Sequence, residues 1–98
     1  MPNFNQTSAQ NFLQTTTNFQ ITAALTAKQL PNSVLMTGMS LLAPSTNTGT
    51  IYIGTQNVTS TNGFPLVAGA LLQIQMANPN QLWMIGTNTT DILAGIGV

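Results

Sequence analysis

Histidine and cysteine are absent from this 98-residue chain, and Lys28 and Asp91 are its only charged side chains. General acid–base catalysis draws on groups whose pKa can be tuned near the working pH, chiefly His, Glu, Lys and Cys. A Ser or Thr nucleophile needs a base beside it, and a metal site needs several clustered imidazoles, thiolates or carboxylates. One Lys, one Asp and Tyr52 assemble neither set, so no enzymatic activity, cofactor or metal is expected. A nucleic-acid interface neutralises several phosphates with Lys and Arg, which one Lys cannot do, so DNA and RNA are not expected partners. The lack of Cys leaves the redox compartment open, because either environment tolerates a Cys-free fold.

Long apolar runs are missing too. No stretch reaches the ~18 apolar residues of a membrane helix, since Thr, Gln, Asn and Pro interrupt every run. Residues 1–20 lack the basic start and apolar block of a signal peptide. The expectation is a soluble product of cytoplasmic synthesis with no membrane partner.

Apolar residues make up 43% of the chain and charged residues 2%, against about 25% charged in ordinary domains. The balance is largely Thr, Asn, Gln and Ser. Disordered chains combine low hydrophobicity with high net charge, and this chain has neither, so one folded domain is expected. A formal net charge of zero removes the self-repulsion that keeps soluble domains apart, which predicts a homo-oligomer or a place in a larger assembly.

Residues 1–17 are rich in Asn, Gln, Thr and Ser and read as an N-terminal arm. Phe4, Phe12 and Leu13 are its isolated apolar anchors; such a segment is either a loosely held terminus or one that docks on a neighbouring subunit. Residues 18–98 read as the folded domain. From Phe19 a period of two sets Phe19, Ile21, Ala23, Leu25 and Ala27 on one face, predicting a half-buried strand over residues 19–27. Residues 34–43 are apolar on both faces, which predicts a strand that is central or covered on both sides. Further strands are expected at residues 50–54, 64–67, 71–76, 82–85 and 92–94. Between them lie loop signals at residues 44–49, at Asn62-Gly63, which suits a positive-φ turn, and at residues 77–80. Six or seven short strands at near-regular spacing, with no helical period, predict an all-β antiparallel β-sandwich or jelly roll.

Three N-glycosylation sequons begin at Asn5, Asn57 and Asn88, which chance supplies in a chain so rich in Asn and Thr. Lys28 and Asp91 could pair, but solvation of both at strand ends is the favoured reading. Trp83 and Tyr52, amid neutral hydrogen-bonding residues, could form a sugar-stacking platform. Core packing is the favoured reading for Trp83, which sits in an apolar run.

The segment Asn47-Thr48-Gly49-Thr50-Ile51-Tyr52-Ile53-Gly54 is followed by Val58-Thr59, Asn62-Gly63-Phe64-Pro65-Leu66, Gly69 and Leu82-Trp83-Met84-Ile85-Gly86. Over residues 34–98 this pattern resembles a small β-sandwich domain of tailed-bacteriophage virion proteins. That resemblance implies a structural protein of the virion, with capsid decoration (cement) as the first expectation and a tail, collar or head-fibre component as the alternative. Its partners would be other virion proteins, the major capsid protein first, with Phe4, Phe12 and Leu13 as assembly contacts. A carbohydrate-binding module using Tyr52 and Trp83 is the alternative from another class.

Overall fold

In the computed structural model residues 16–98 are described. They form β1 (Thr17–Thr22), β2 (Lys28–Gln29), β3 (Met39–Leu42), β4 (Ile51–Gly54), β5 (Phe64–Leu66), β6 (Leu71–Ile74), β7 (Trp83–Gly86) and β8 (Ile92–Gly97), with one 3-10 turn at Pro79–Gln81. Two four-stranded sheets result, sheet A in the order β1-β8-β3-β6 and sheet B in the order β2-β7-β4-β5. Every pairing is antiparallel. Strand 1 pairs with 8, 2 with 7, 3 with 6 and 4 with 5, as in one long hairpin folded between β4 and β5. Rolling that hairpin brings β8 against β3 and β7 against β4. The β-sandwich therefore has jelly-roll topology.

The roll places residues 23–27, 43–50, 67–70 and 87–91 at one end of the sandwich. Residues 30–38, 55–63 and 75–82 lie at the other, together with Thr16 and Val98.

Alternation builds the core, because successive strand residues face opposite sides of a sheet. Ile51 and Ile53 point inward from β4, Met39 and Leu41 from β3, and Leu93 from β8; Leu41, Ile51, Met84 and Leu93 are fully enclosed. Each such side chain contributes about 1.5–3 kcal/mol of burial free energy. Phe19 pairs in register with Gly95. A Cβ on Gly95 would lie 2.5 Å from the Phe19 ring and 3.1 Å from Met39 Cε, so the bare backbone is what lets the ring lie across β8.

Several local expectations change. The alternation over residues 19–27 outlasts its strand, because β1 ends at Thr22. Ala23 N–H still bonds the Asp91 carbonyl at 2.9 Å, but the chain then crosses to sheet B, where Ala24 C=O accepts from Gly86 N–H at 2.8 Å. Leu25 is left 61% exposed on that crossing. Within residues 34–43 only Met39–Leu42 is strand. Gly38 breaks the run with φ +142°, a conformation that favours glycine, and a Cβ there would strike the Ile74 carbonyl. β3 is central, and no described segment covers its outer face. Asn62-Gly63 is no positive-φ turn; among the described residues only Gly38 and Gly69 have positive φ. Gly63 is instead demanded by close approach, since its Cβ would fall 2.6 Å from Tyr52 Cβ and 2.8 Å from Val58 Cγ2.

Candidate functional site

The only acidic side chain of the sequence is buried. Asp91 is 2% exposed, which corrects the expectation that it is solvated at a strand end. Thr48 N–H donates to its Oδ1 at 2.8 Å and Gly49 N–H to its Oδ2 at 2.7 Å, with the Thr48 hydroxyl 3.3 Å from Oδ1. Two consecutive amides thus stabilise the carboxylate in place of a cation. Asn47 continues the clasp by copying a strand: its side-chain amide donates to Ile92 C=O at 2.8 Å and accepts from Ile92 N–H at 3.0 Å. Asn88 Nδ2 donates to Thr48 Oγ1 at 2.7 Å, and Thr50 N–H to Thr87 Oγ1 at 3.1 Å. A Cβ on Gly49 would collide with the Thr87 hydroxyl and lie 3.0 Å from Asp91 Oδ2. Loop 43–50 is thereby fixed to loop 87–91. Chemically, this is a structural clasp, since both carboxylate oxygens are already engaged.

Lys28 is likewise not paired with Asp91. Its Nζ donates to Thr22 C=O at 3.0 Å, spanning from β2 of one sheet to β1 of the other. At the opposite end Asn78 Oδ1 accepts from Ser33 N–H and Asn80 N–H, both at 3.0 Å, and its Nδ2 donates to Asn32 Oδ1 at 2.6 Å. Among the described residues no buried side-chain nitrogen or oxygen lacks a partner.

Tyr52 and Trp83 come together on the outer face of sheet B. Tyr52 lies opposite Ile85 and Trp83 opposite Gly54, so the two aromatics are diagonal neighbours on adjacent strands. Both are half-buried. Met84 and Gly86, not Trp83, are the buried residues of β7, a correction to the core reading of Trp83: in Leu82-Trp83-Met84-Ile85 every residue is apolar, so alternation cannot set the phase. Loop 55–63 folds back over this face. Val58, only 4% exposed yet outside the main core, sits against Gly54, where a Cβ would lie 2.8 Å from its Cγ2. The loop is closed by Thr59 N–H donating to Asn62 Oδ1 at 2.7 Å and Asn62 Nδ2 donating to Asn57 C=O at 3.3 Å.

No described segment covers sheet A in this way. Its outer face presents Ile96 (55% exposed), Leu42 (39%) and Leu71 (60%) among Asn18, Gln20, Ser40 and Gln73. Toward the Val98 end it opens into a groove of about 740 Å³ lined by Thr37, Gly38, Ser40, Gln73, Gln75 and Ile96. Phe64 (55%) and Val67 (58%) extend the apolar exposure around the flank of the sandwich. Sequence reasoning missed this surface because an apolar residue inside a strand pattern reads as buried. Phe4, Phe12 and Leu13 lie outside the described residues. No helix among the described residues is long and apolar enough to cross a membrane.

No family model matches this chain, and comparison with curated proteins and with solved structures returned no match.

Proposed function

We propose that this chain is a non-enzymatic structural protein of a bacteriophage particle, a capsid decoration (cement) protein that holds neighbouring shell subunits together. The observation that carries the reading is an outer surface with a single charged side chain, Lys28, set with large exposed apolar residues, Leu42, Phe64, Val67, Leu71 and Ile96 among them. Such a surface suits burial against other protein, because contiguous apolar exposure on a soluble domain marks an interaction site. The jelly roll gives support by analogy, as viral capsid domains use it; lectins do as well, so the site and not the fold must carry the argument.

The mechanism is mechanical. Many copies bury apolar and neutral polar surface at junctions between capsomers, and Phe4, Phe12 and Leu13 anchor the arm to the major capsid protein or to an adjacent copy. Each buried Phe contributes roughly 2–3 kcal/mol before the ordering of the arm is subtracted, so the anchors act together or hardly at all.

The test is quantitative mass spectrometry of purified particles made by the phage that encodes the chain, with cryo-EM to place it. Copy numbers matching the capsomer lattice support decoration. A few copies at one vertex indicate a collar, tail or head-fibre component instead. Absence from the particle, coupled with a glycan-array signal lost in Trp83→Ala, would replace the reading with carbohydrate binding.

A further inference from the structure

The four sheet edges are not equally protected. A bare edge strand offers unpaired N–H and C=O groups to another strand, and proteins block this with short strands, charge or proline. In sheet B, edge β2 is two residues long and carries the only Lys, and edge β5 is three residues long with Pro65 at its centre. In sheet A, edge β1 has its Thr22 carbonyl occupied by Lys28 Nζ. The fourth edge, β6, reads Leu71-Leu72-Gln73-Ile74; like β1 it has neither charge nor proline, but no described side chain reaches its outward backbone groups as Lys28 reaches those of β1.

The ladder shows which groups β6 leaves open. Ala43 N–H donates to Ala70 C=O at 3.0 Å, and the register runs on through Leu41 with Leu72 and Met39 with Ile74. In an antiparallel ladder alternate residues bond to alternate sides. The backbone groups of Leu71 and Gln73 therefore face away from β3, and their side chains are exposed on the outer face. Beside this edge lie the exposed Leu42, opposite Leu71, and Val67, in the turn that leads into the strand.

We infer that β6 is a self-association edge, pairing antiparallel about a twofold axis with β6 of a second copy to join two A sheets into one eight-stranded sheet. The inference rests on the assembly reading above and names the surface that carries it. A second copy is the fitting occupant because this flank has no charged side chain to match a charged partner. Lys28 lies on β2 at the opposite flank and Asp91 is buried, so two copies meeting here bring no like charges together. Placing Gln73 opposite Gln73 of the second copy engages the longest stretch, with Leu71 opposite Gln75 at each end. It also sets the two Leu42 and Leu71 patches on one face of the joined sheet, on either side of the paired Gln73.

The test is sedimentation equilibrium of the full chain with far-UV circular dichroism of each variant. The wild type should be dimeric. Gln73→Lys sets two ammonium groups face to face and should raise the dimer dissociation constant at least about tenfold, with the spectrum unchanged. Gln20→Lys, on β1 at the opposite edge of sheet A, should leave the dimer intact. Because the chain has no Cys, Gln73→Cys gives a second readout that does not depend on the behaviour of the Lys variant. Paired residues in a hydrogen-bonded antiparallel position are about 5.5 Å apart at Cα, within disulfide reach, so oxidation should yield a covalent dimer. A monomeric wild type, a dimer indifferent to Gln73→Lys, or a Gln73→Cys chain that does not cross-link would each overturn the inference. A chain monomeric in solution yet abundant in purified particles would sink edge pairing and leave the assembly role standing. A dimer broken by Gln73→Lys in a chain absent from particles would do the reverse.

Discussion

At the end of the sandwich where loop 43–50 meets loop 87–91, the ties converge on one carboxylate and the buried amide beside it. At the opposite end, loops 30–38 and 75–82 are joined by the neutral, partly exposed amides of Asn32, Asn78 and Asn80. The two ends do the same job with unequal tolerance. A buried acceptor facing two backbone donors has no substitute nearby, whereas a half-exposed amide can hand its partners to water. The Asn and Thr enrichment of the sequence thus has a structural use, since side-chain amides and hydroxyls tie the loops that ion pairs would tie in an ordinary domain.

The largest effect expected of this difference comes from Asp91→Asn. The change keeps the shape but points an NH2 donor at the N–H of Thr48 or Gly49, leaving a buried donor opposed. Stability should fall by about 3 kcal/mol, read as a shift in the urea midpoint at unchanged slope. A loss below about 1 kcal/mol would mean that the clasp does not hold its end, and the contrast would collapse.

A matched pair sharpens it. Asn47→Ala removes a two-way bond with Ile92 from a side chain only 8% exposed, and should cost about 2 kcal/mol. Asn78→Ala at the other end, where solvent can enter, should cost about 1 kcal/mol. Equal losses in the same denaturation series would show that burial does not separate the two ends.

The smallest effect belongs to Lys28→Gln. The ammonium reaches a single edge carbonyl, so the midpoint should move by no more than about 0.5–1 kcal/mol. Raising NaCl from about 0.05 to 0.5 M should change the wild-type midpoint little, because so little fixed charge is available to screen. A steep salt dependence would reveal that Lys28 fastens the two sheets together more than its one bond suggests.

The all-β sandwich was legible because alternation is a physical consequence of strand geometry. In β6, Leu72 and Ile74 turn toward the core while Leu71 and Gln73 turn away, as the period of two demands. Where the signal failed, the cause was specific. Residues 23–27 keep alternating after the chain has left sheet A, because a crossing segment carries no mark of changing layer. The clasp was illegible because the amides that hold Asp91 lie 42 and 43 residues earlier in the chain. Asn47-Thr48-Gly49 announces only a loop, and a lone Asp in a nearly uncharged chain reads as solvated until backbone donors are seen around it. The platform pair was partly legible: sequence singled out Tyr52 and Trp83, but only the register shows that they share a face.

The pairing of β1 with β8 has a consequence for how the protein comes into being. β8 is the partner of both β1 and β3, so on a growing chain β1 stays separated from the rest of sheet A until β8 has emerged from the ribosome. Only β4 and β5 can meet as a local hairpin; every other ladder must close a long loop first, which slows folding. During synthesis the apolar strands wait without partners, the condition under which chains aggregate, and this chain has almost no charge to keep them apart. The yield of native protein should therefore depend on temperature and expression rate more steeply than that of a helical domain of equal length.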